Sequence, residues 1–265
     1  HMSVDKKLTC LYRYRIMKTR RFPISRGISK IGGVPVLKTT RLIVMLTYQD
    51  RTVPNAADLF AQCRNTPAEY WGFKEEGLSL PAMRELFAQM KACGKKTALE
   101  VVAYTEEEGL RGARMAADCG CDLLMGTVYS DAILNFCRTH GMQYMPFVGR
   151  VTGRPSVLEG TPDEMIRQAE DCLRKGVFGF DLLGYRYTGD KTDLIRRFVA
   201  AVDAPVCVAG SVDSYQRLDE IKSIAPWAFT IGSAFFQQKF GPDFAGQIET
   251  VCRYLDRPEE GAPCC

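Results

Sequence analysis

From Leu42 onward the chain alternates short apolar runs with amphipathic stretches, and the alternation repeats eight times. Leu42 to Thr47 (LIVMLT) reads as a buried strand, and Ala56 to Arg64 follows with helical spacing. Tyr70 to Glu75 is the second strand; Ser79 and a first-turn proline open a helix over Pro81 to Cys93. Thr97 to Tyr104 (TALEVVAY) and Cys121 to Val128 (CDLLMGTV) are the third and fourth strands, with helices over Glu106 to Asp118 and Ser130 to Thr139. Gln143 to Val148 is the fifth. Thr161-Pro162-Asp163-Glu164 then starts a helix to Lys175: Thr caps, Pro takes the first turn, and the acids favour the positive helix end. Val177 to Leu183, Pro205 to Ala209 and Ala228 to Gly232 complete the strands. Their helices run over Thr192 to Val202, Ser214 to Ala225 and Pro242 to Leu255.

Continuous apolar strands alternating with helices mean a parallel sheet covered by helices. Eight such units in about 200–250 residues predict an α/β protein with a single (β/α)8 TIM barrel rather than an open doubly wound sheet. Gly94, Gly120 and Gly176 stand where a left-handed residue ends a helix. The chain therefore divides into a basic N-terminal extension (1–41), the barrel (42–257) and a C-terminal tail (258–265). Within the extension, Leu11 to Ile16 and Val34 to Leu37 have strand character, as in a hairpin that plugs the barrel bottom. His1-Met2 looks like a cloning scar, and Met17 is an alternative start.

Composition narrows the chemistry. The 265 residues are 46% hydrophobic and 25% charged, as in ordinary globular proteins. No apolar run reaches about 18 residues, so no transmembrane helix is expected. The net charge of +4 conceals a split: residues 1–41 hold 11 basic side chains and one acid, or +10, leaving 24 basic against 30 acidic, or −6. That balance does not describe a uniform nucleic-acid-binding surface. The extension itself stays open between a segment packed on the barrel, a transit peptide and a segment for an anionic partner. Eleven cysteines without a CxxC pair point to free thiols in a reducing, cytoplasmic compartment. Of the two histidines only His140 counts as native, and it precedes strand five on the stability face; a two- or three-histidine metal site is not expected.

Barrel enzymes place chemistry where strands end and the loops to the helices begin. This rule yields Gln49, Arg51, Lys74, Glu76, Glu100, Thr127, Arg150, Asp181, Gly210, Ser211, Gly232 and Ser233. Glu100 and Asp181 lie inside apolar runs, where an unpaired carboxylate costs several kcal/mol, so each calls for a partner or a shifted pKa. Lys74 is the one lysine expected at a strand end. It suits a Schiff base if desolvated, or a cation stabilising an enediolate while a carboxylate moves the proton. An ion pair that merely fills the barrel stays open. Strand parity allows only one of Glu75 and Glu76 to point inward. Arg150, Arg51 and Gln49 are substrate anchors by type, with Glu76 and Thr127 beside them.

Ala209-Gly-Ser-Val212 and, twenty residues on, Ile231-Gly-Ser-Ala-Phe235 each set Gly directly after a buried strand. Together they resemble the phosphate-binding signature of the ribulose-phosphate-binding barrel superfamily. That group includes sugar-phosphate epimerases, histidine- and tryptophan-pathway isomerases and keto-acid-phosphate lyases. Gly179-Phe-Asp-Leu-Leu-Gly184 is similar to the sixth strand of N-acetylmannosamine-6-phosphate epimerases. The resemblance implies phosphate on Gly210, Ser211, Gly232 and Ser233. Three departures stand beside it: no strand-end histidine, no Asp-x-Lys-x-x-Asp on strand three, and Ala209 where the mannosamine-phosphate epimerases carry an acid.

The expectation is a metal-independent enzyme, with Lys74, Glu100 and Asp181 catalytic and no cofactor called for. It would act on a small phosphorylated sugar or keto acid, by proton transfer beside a carbonyl or by carbon–carbon cleavage. The alternative is a phosphate-ligand-binding or regulatory barrel without chemistry. A small phosphorylated molecule is the expected partner, neither membrane nor nucleic acid is expected, and a homo-oligomer stays open. Backbone amides and a few arginines, rather than bulk charge, should hold the anion.

Overall fold

A computed structural model describes residues 28–31, 34–37 and 40–257. Eight parallel strands form the central sheet: β1 (Arg41–Met45), β2 (Tyr70–Lys74), β3 (Lys96–Val101), β4 (Leu123–Gly126), β5 (Gln143–Met145), β6 (Phe180–Leu182), β7 (Val206–Val208) and β8 (Ala228–Ile231). They pair in the order β6-β7-β8-β1-β2-β3-β4-β5. The ring closes between β5 and β6 through a Phe147–Asp181 bridge. Two backbone hydrogen bonds reinforce it, Phe178 N–H to Tyr144 O at 3.0 Å and Asp181 N–H to Pro146 O at 3.1 Å. The expected (β/α)8 barrel is therefore the observed fold. Its helices are α1 (Ala56–Cys63), α2 (Leu80–Ala92), α3 (Glu106–Asp118), α4 (Asp131–Thr139), α5 (Pro162–Lys175), α6 (Lys191–Ala201), α7 (Tyr215–Ile224), a short α8 (Ser233–Phe236) and α9 (Phe244–Asp256).

Strand parity divides the apolar residues into two layers. Trp71 and Phe73 on β2, Leu99 and Val101 on β3, and Phe229 and Ile231 on β8 face the helices. Phe73 stacks on Phe87 of α2 at 4.3 Å between centroids. The opposite parity fills the interior with Ile43, Met45, Ala98, Leu123, Met125, Met145, Cys207 and Ala228. The N-terminal end of the barrel is shut by Tyr70, Phe178 and Trp227, the last at 5.4 and 5.7 Å from the other two rings, with Arg41 over Trp227. Helix starts follow the polar residues ahead of them. Ser79, Thr105, Ser130, Asp190, Ser214 and Asp243 each accept from a first-turn amide, and Thr161 with Glu164 makes a capping box. Gly94, Gly120 and Gly176 take positive φ of 73°, 72° and 97°.

Several features depart from the sequence expectation. Val34–Leu37 is a strand, but its antiparallel partner is Ile28–Ile31. Leu11 to Ile16 lies outside the described residues. Strands four to seven are shorter than their apolar runs. At the C-terminal end of the barrel lie two hairpins that periodicity does not reveal, Thr47–Tyr48 with Arg51–Thr52 and Arg150–Thr152 with Val157–Glu159. Strands of two or three residues are too short to carry a readable period.

Where strands crowd, glycine is required. A Cβ on Gly179 would sit 2.1 Å from the Pro205 carbonyl oxygen of the neighbouring strand segment. Gly179→Ala is expected to lower stability by about 2 kcal/mol or more, since backbone cannot yield as a side chain can. Gly94→Ala, which meets nothing within 4 Å, should cost about 1 kcal/mol through its positive φ alone. Urea unfolding of the two variants checks the contrast; equal losses would show that the close approach at Gly179 is not a constraint.

Candidate active site

Lys74 ends β2 on the interior parity, in register with Glu100 on β3. Both are buried, at 8% and 9% exposure. An ammonium taken out of water needs counter-charge, and two carboxylates supply it. Glu100 Oε1 lies 3.5 Å from Lys74 Nζ, and Asp50 Oδ1 accepts a hydrogen bond from the same nitrogen. Burial works to lower the Lys74 pKa; Glu100 and Asp50 outweigh it, so the ammonium is held above the ordinary lysine value.

The first hairpin delivers Asp50. Gln49 and Asp50 form its two-residue turn, with φ of 50° and 65°. Left-handed backbone at two successive non-glycine residues is uncommon, and such conformations persist only where surrounding contacts over-determine them. Those contacts are present. The Thr52 hydroxyl donates to Lys74 O at 2.7 Å and accepts from Lys74 N–H at 3.0 Å, riveting the hairpin to the end of β2. Thr52 N–H also donates to Glu76 O at 2.9 Å.

Asp181 sits in the interior with no exposure, and neither carboxylate oxygen has a hydrogen-bond partner. Burial raises its pKa well above the carboxylate range; Glu100 adds to this and Lys74 opposes it. Burial therefore favours the protonated form of this side chain. It lies outside the lining of the cavity that Lys74 and Glu100 enter.

That cavity, of about 210 Å³, is walled on the other side by the turns after β7 and β8. Gly210 and Ser211 have φ of 88° and 57°. Among the described residues, the amides of Gly210, Ser211 and Ser233 and the two serine hydroxyls have no partner. Arg217 braces the turn from behind: its guanidinium donates to Ser211 O and to Asp213 Oδ1, and stacks over Tyr185 at 4.9 Å. Thr47 supports the second turn, where a Cβ on Gly232 would fall 2.6 Å from its hydroxyl.

The structure thus brings together Lys74, Glu100, Gly210, Ser211, Gly232 and Ser233 around one cavity. Gln49, Arg51 and Glu76 line an outer chamber at its mouth. Besides Asp181, two residues go elsewhere. Thr127 is fully buried, its hydroxyl bonded to Tyr144 at 2.7 Å, because a positive φ of 65° turns it away from the cavity. Arg150 lies on the second hairpin rather than at the end of β5; its side chain is 71% exposed and pairs with Glu159 at 3.1 Å. Of the two glutamates after β2, Glu75 is the less exposed, its side chain at 13% against 45% for Glu76. Arg154 bridges both at 2.9 Å. Burial raises the Glu75 pKa against the pull of Arg154. His140 caps α4 at the surface, Nδ1 2.8 Å from Phe136 O.

Asp50 and Arg186 follow strand ends directly, and position marks both among the strand-end residues without giving them a role; Arg154 was passed over altogether. Arg154 arrives on a loop whose fold only the second hairpin defines.

Neither a scan against protein-family models nor a search of curated proteins gives a match. Solved structures do. Tryptophan synthase from Mycobacterium tuberculosis aligns at TM-score 0.61 and 15% identity, covering 83% of this chain and 94% of that one. A 4-hydroxy-2-oxoglutarate/2-dehydro-3-deoxyphosphogluconate aldolase from TTHB1 gives 0.59 and 14%, over 83% and 96%. Orotidine 5'-phosphate decarboxylase from Lactobacillus acidophilus gives 0.56 and 10%, over 82% and 100%. At such identities the likeness establishes the fold. Among the described residues no helix is long and apolar enough to cross a membrane.

The buried Asp181 sets a pH dependence. Its folded pKa is raised above an unfolded value of about 3.9. Between those two values the folded state binds a proton that the unfolded state has lost, so stability falls as pH rises through that window. Asp181→Asn removes the effect. The variant should exceed the parent in urea midpoint at pH 8, by a wider margin than at pH 5. Equal margins at both pH values would mean that Asp181 is ionised in the folded protein.

Proposed function

We propose that the chain is an enzyme acting on a small phosphorylated sugar or keto acid, and that it makes an enolate or enediolate beside the substrate carbonyl. The observation that carries this reading is the single cavity in which Lys74 and Glu100 face the unpartnered amides of two Gly-Ser turns. Phosphate is proposed to sit on Gly210, Ser211, Gly232 and Ser233, where free backbone donors favour an oxyanion. Lys74 then donates to the substrate carbonyl oxygen. Glu100 accepts the proton from the adjacent carbon, the electron pair of the C–H bond moves onto the carbonyl oxygen, and the ammonium stabilises the resulting charge. Return of the proton to the neighbouring carbon, with the hydroxyl proton there passing to the first oxygen, completes an isomerisation; a solvent proton delivered to the other face, with the proton on Glu100 released to solvent, completes an epimerisation. Loss of a carbon fragment instead of a proton passes through the same enolate. Asp181 lies outside the cavity lining, and its burial favours the protonated form.

The raised pKa of Lys74 favours the ammonium over a free amine in the resting site. A Schiff base needs the amine, so the electrophile role is preferred to the covalent one.

Three outcomes test the reading. Incubation in D₂O with a panel of sugar phosphates and phosphorylated keto acids should exchange the proton next to the carbonyl, seen as loss of its ¹H NMR signal. Lys74→Met should slow exchange about 10²- to 10³-fold, the effect of losing one oxyanion donor. Glu100→Gln should slow it about 10²- to 10⁴-fold, as for loss of a general base. Borohydride should leave the mass of Lys74 peptides unchanged; a substrate-dependent adduct would move the mechanism to the Schiff base. Tight phosphate-ligand binding with no exchange across the panel would point to a binding barrel without chemistry.

A further inference from the structure

The cavity opens outward into a second chamber of about 530 Å³. The two share Asp50, Arg186, Ser233 and Gln237, so they are continuous. The first hairpin provides one wall through Tyr48 and Arg51, and the second provides another through Arg154 and Pro155. The charges on these walls are unevenly spent. Asp50 is engaged by Lys74, and Glu76 by Arg154, whose guanidinium also binds Glu75 and Val102 O. Arg51 and Arg186 have no carboxylate, carbonyl or ring partner among the described residues. Arg186 reaches along Gly210: a Cβ there would meet its Cγ at 2.6 Å and its Nε at 3.3 Å. Two uncommitted guanidinium groups therefore line a concave space whose acids are already engaged by other cations. A guanidinium offers a planar fork that matches the paired oxygens of carboxylate or phosphate.

We propose that this chamber binds a second anionic group of the substrate, so that the substrate class is a short carbon chain with an oxyanion at each end. Resting on the phosphate reading above, one phosphate occupies the Gly-Ser turns. The other group, a carboxylate or a phosphate, lies between Arg51 and Arg186. The carbonyl to be enolised sits between them, over Lys74. Both arginines lie on segments after strand ends: Arg51 on a hairpin riveted by Thr52, and Arg186 in the one-turn helix Gly184–Arg186. This fixes their backbones while leaving the side chains to adapt to the length of the chain between the anions.

The test is calorimetry on the full chain with linear alkyl monophosphates, α,ω-alkanediol bisphosphates and ω-carboxyalkyl phosphates of three to six carbons. One chain length should bind at least about tenfold more tightly as the doubly anionic compound than as the monophosphate, as expected for an added charge-assisted bidentate contact. The preference for carboxylate or phosphate at the far end identifies the second group. Arg51→Gln should abolish the tenfold preference, with circular dichroism confirming the fold. Monophosphates binding as tightly as every doubly anionic compound, or a preference that survives Arg51→Gln, would overturn the second subsite and leave the first intact. No binding by any compound would remove both subsites together.

Discussion

One buried lysine organises the C-terminal end of this barrel. Lys74 sits where β2 runs out, at a point where parity obliges its side chain to enter the interior. A lone ammonium there would be driven toward its neutral form. Glu100 comes from the next strand at matching register, so the backbone ladder alone places it. Asp50 comes from a turn that needs two left-handed residues, held by the Thr52 hydroxyl at 2.7 and 3.0 Å from the Lys74 backbone. The hairpin's geometry and the lysine's charge state are therefore linked: the fold accepts local strain, and the ammonium gains its second carboxylate.

The division of labour across the barrel follows from the same economy of charge. Its N-terminal end is closed with rings, Tyr70, Phe178 and Trp227. The middle holds methionines and small residues, which conform to an irregular space. The C-terminal end gathers ionisable groups that are paired with one another: Lys74 with Asp50 and Glu100, and Arg154 with Glu75 and Glu76. Asp181 is the exception: neither of its oxygens has a hydrogen-bond partner, and burial, with Glu100 adding to it, outweighs the pull of Lys74 and raises its pKa. Among the described residues, the backbone of the two Gly-Ser turns and Arg51 and Arg186 at the mouth are left without partners.

Legibility along the chain tracked the length of each feature. Helices α2 to α7 were marked by caps and an apolar stripe, and the strands by runs of buried residues. The hairpin from Arg150 to Glu159 left no mark, since a three-residue strand offers no period. As a result Arg150, read as a strand-end anchor, proved to be a surface residue paired with Glu159, while Arg154, four positions on, folds back 78 residues to Glu76. Thr127 stood at a strand end by position, and a positive φ turned it away from the cavity.

By itself the sequence determined the barrel, because eight apolar runs separated by amphipathic stretches admit few other ways of burying both strand faces. It also determined that Lys74 and Glu100 would share the interior and that two glycine turns would end β7 and β8, since parity and strand order are local properties. Tertiary structure alone decided which side chains answer one another. Asp50 meets Lys74, Arg154 meets the two glutamates, and Asp181 meets no partner at all. Those pairings depend on how short loops cross the mouth of the barrel. That path is set by a few backbone torsions and by the neighbours that hold them, and neither leaves a periodic trace in the order of residues.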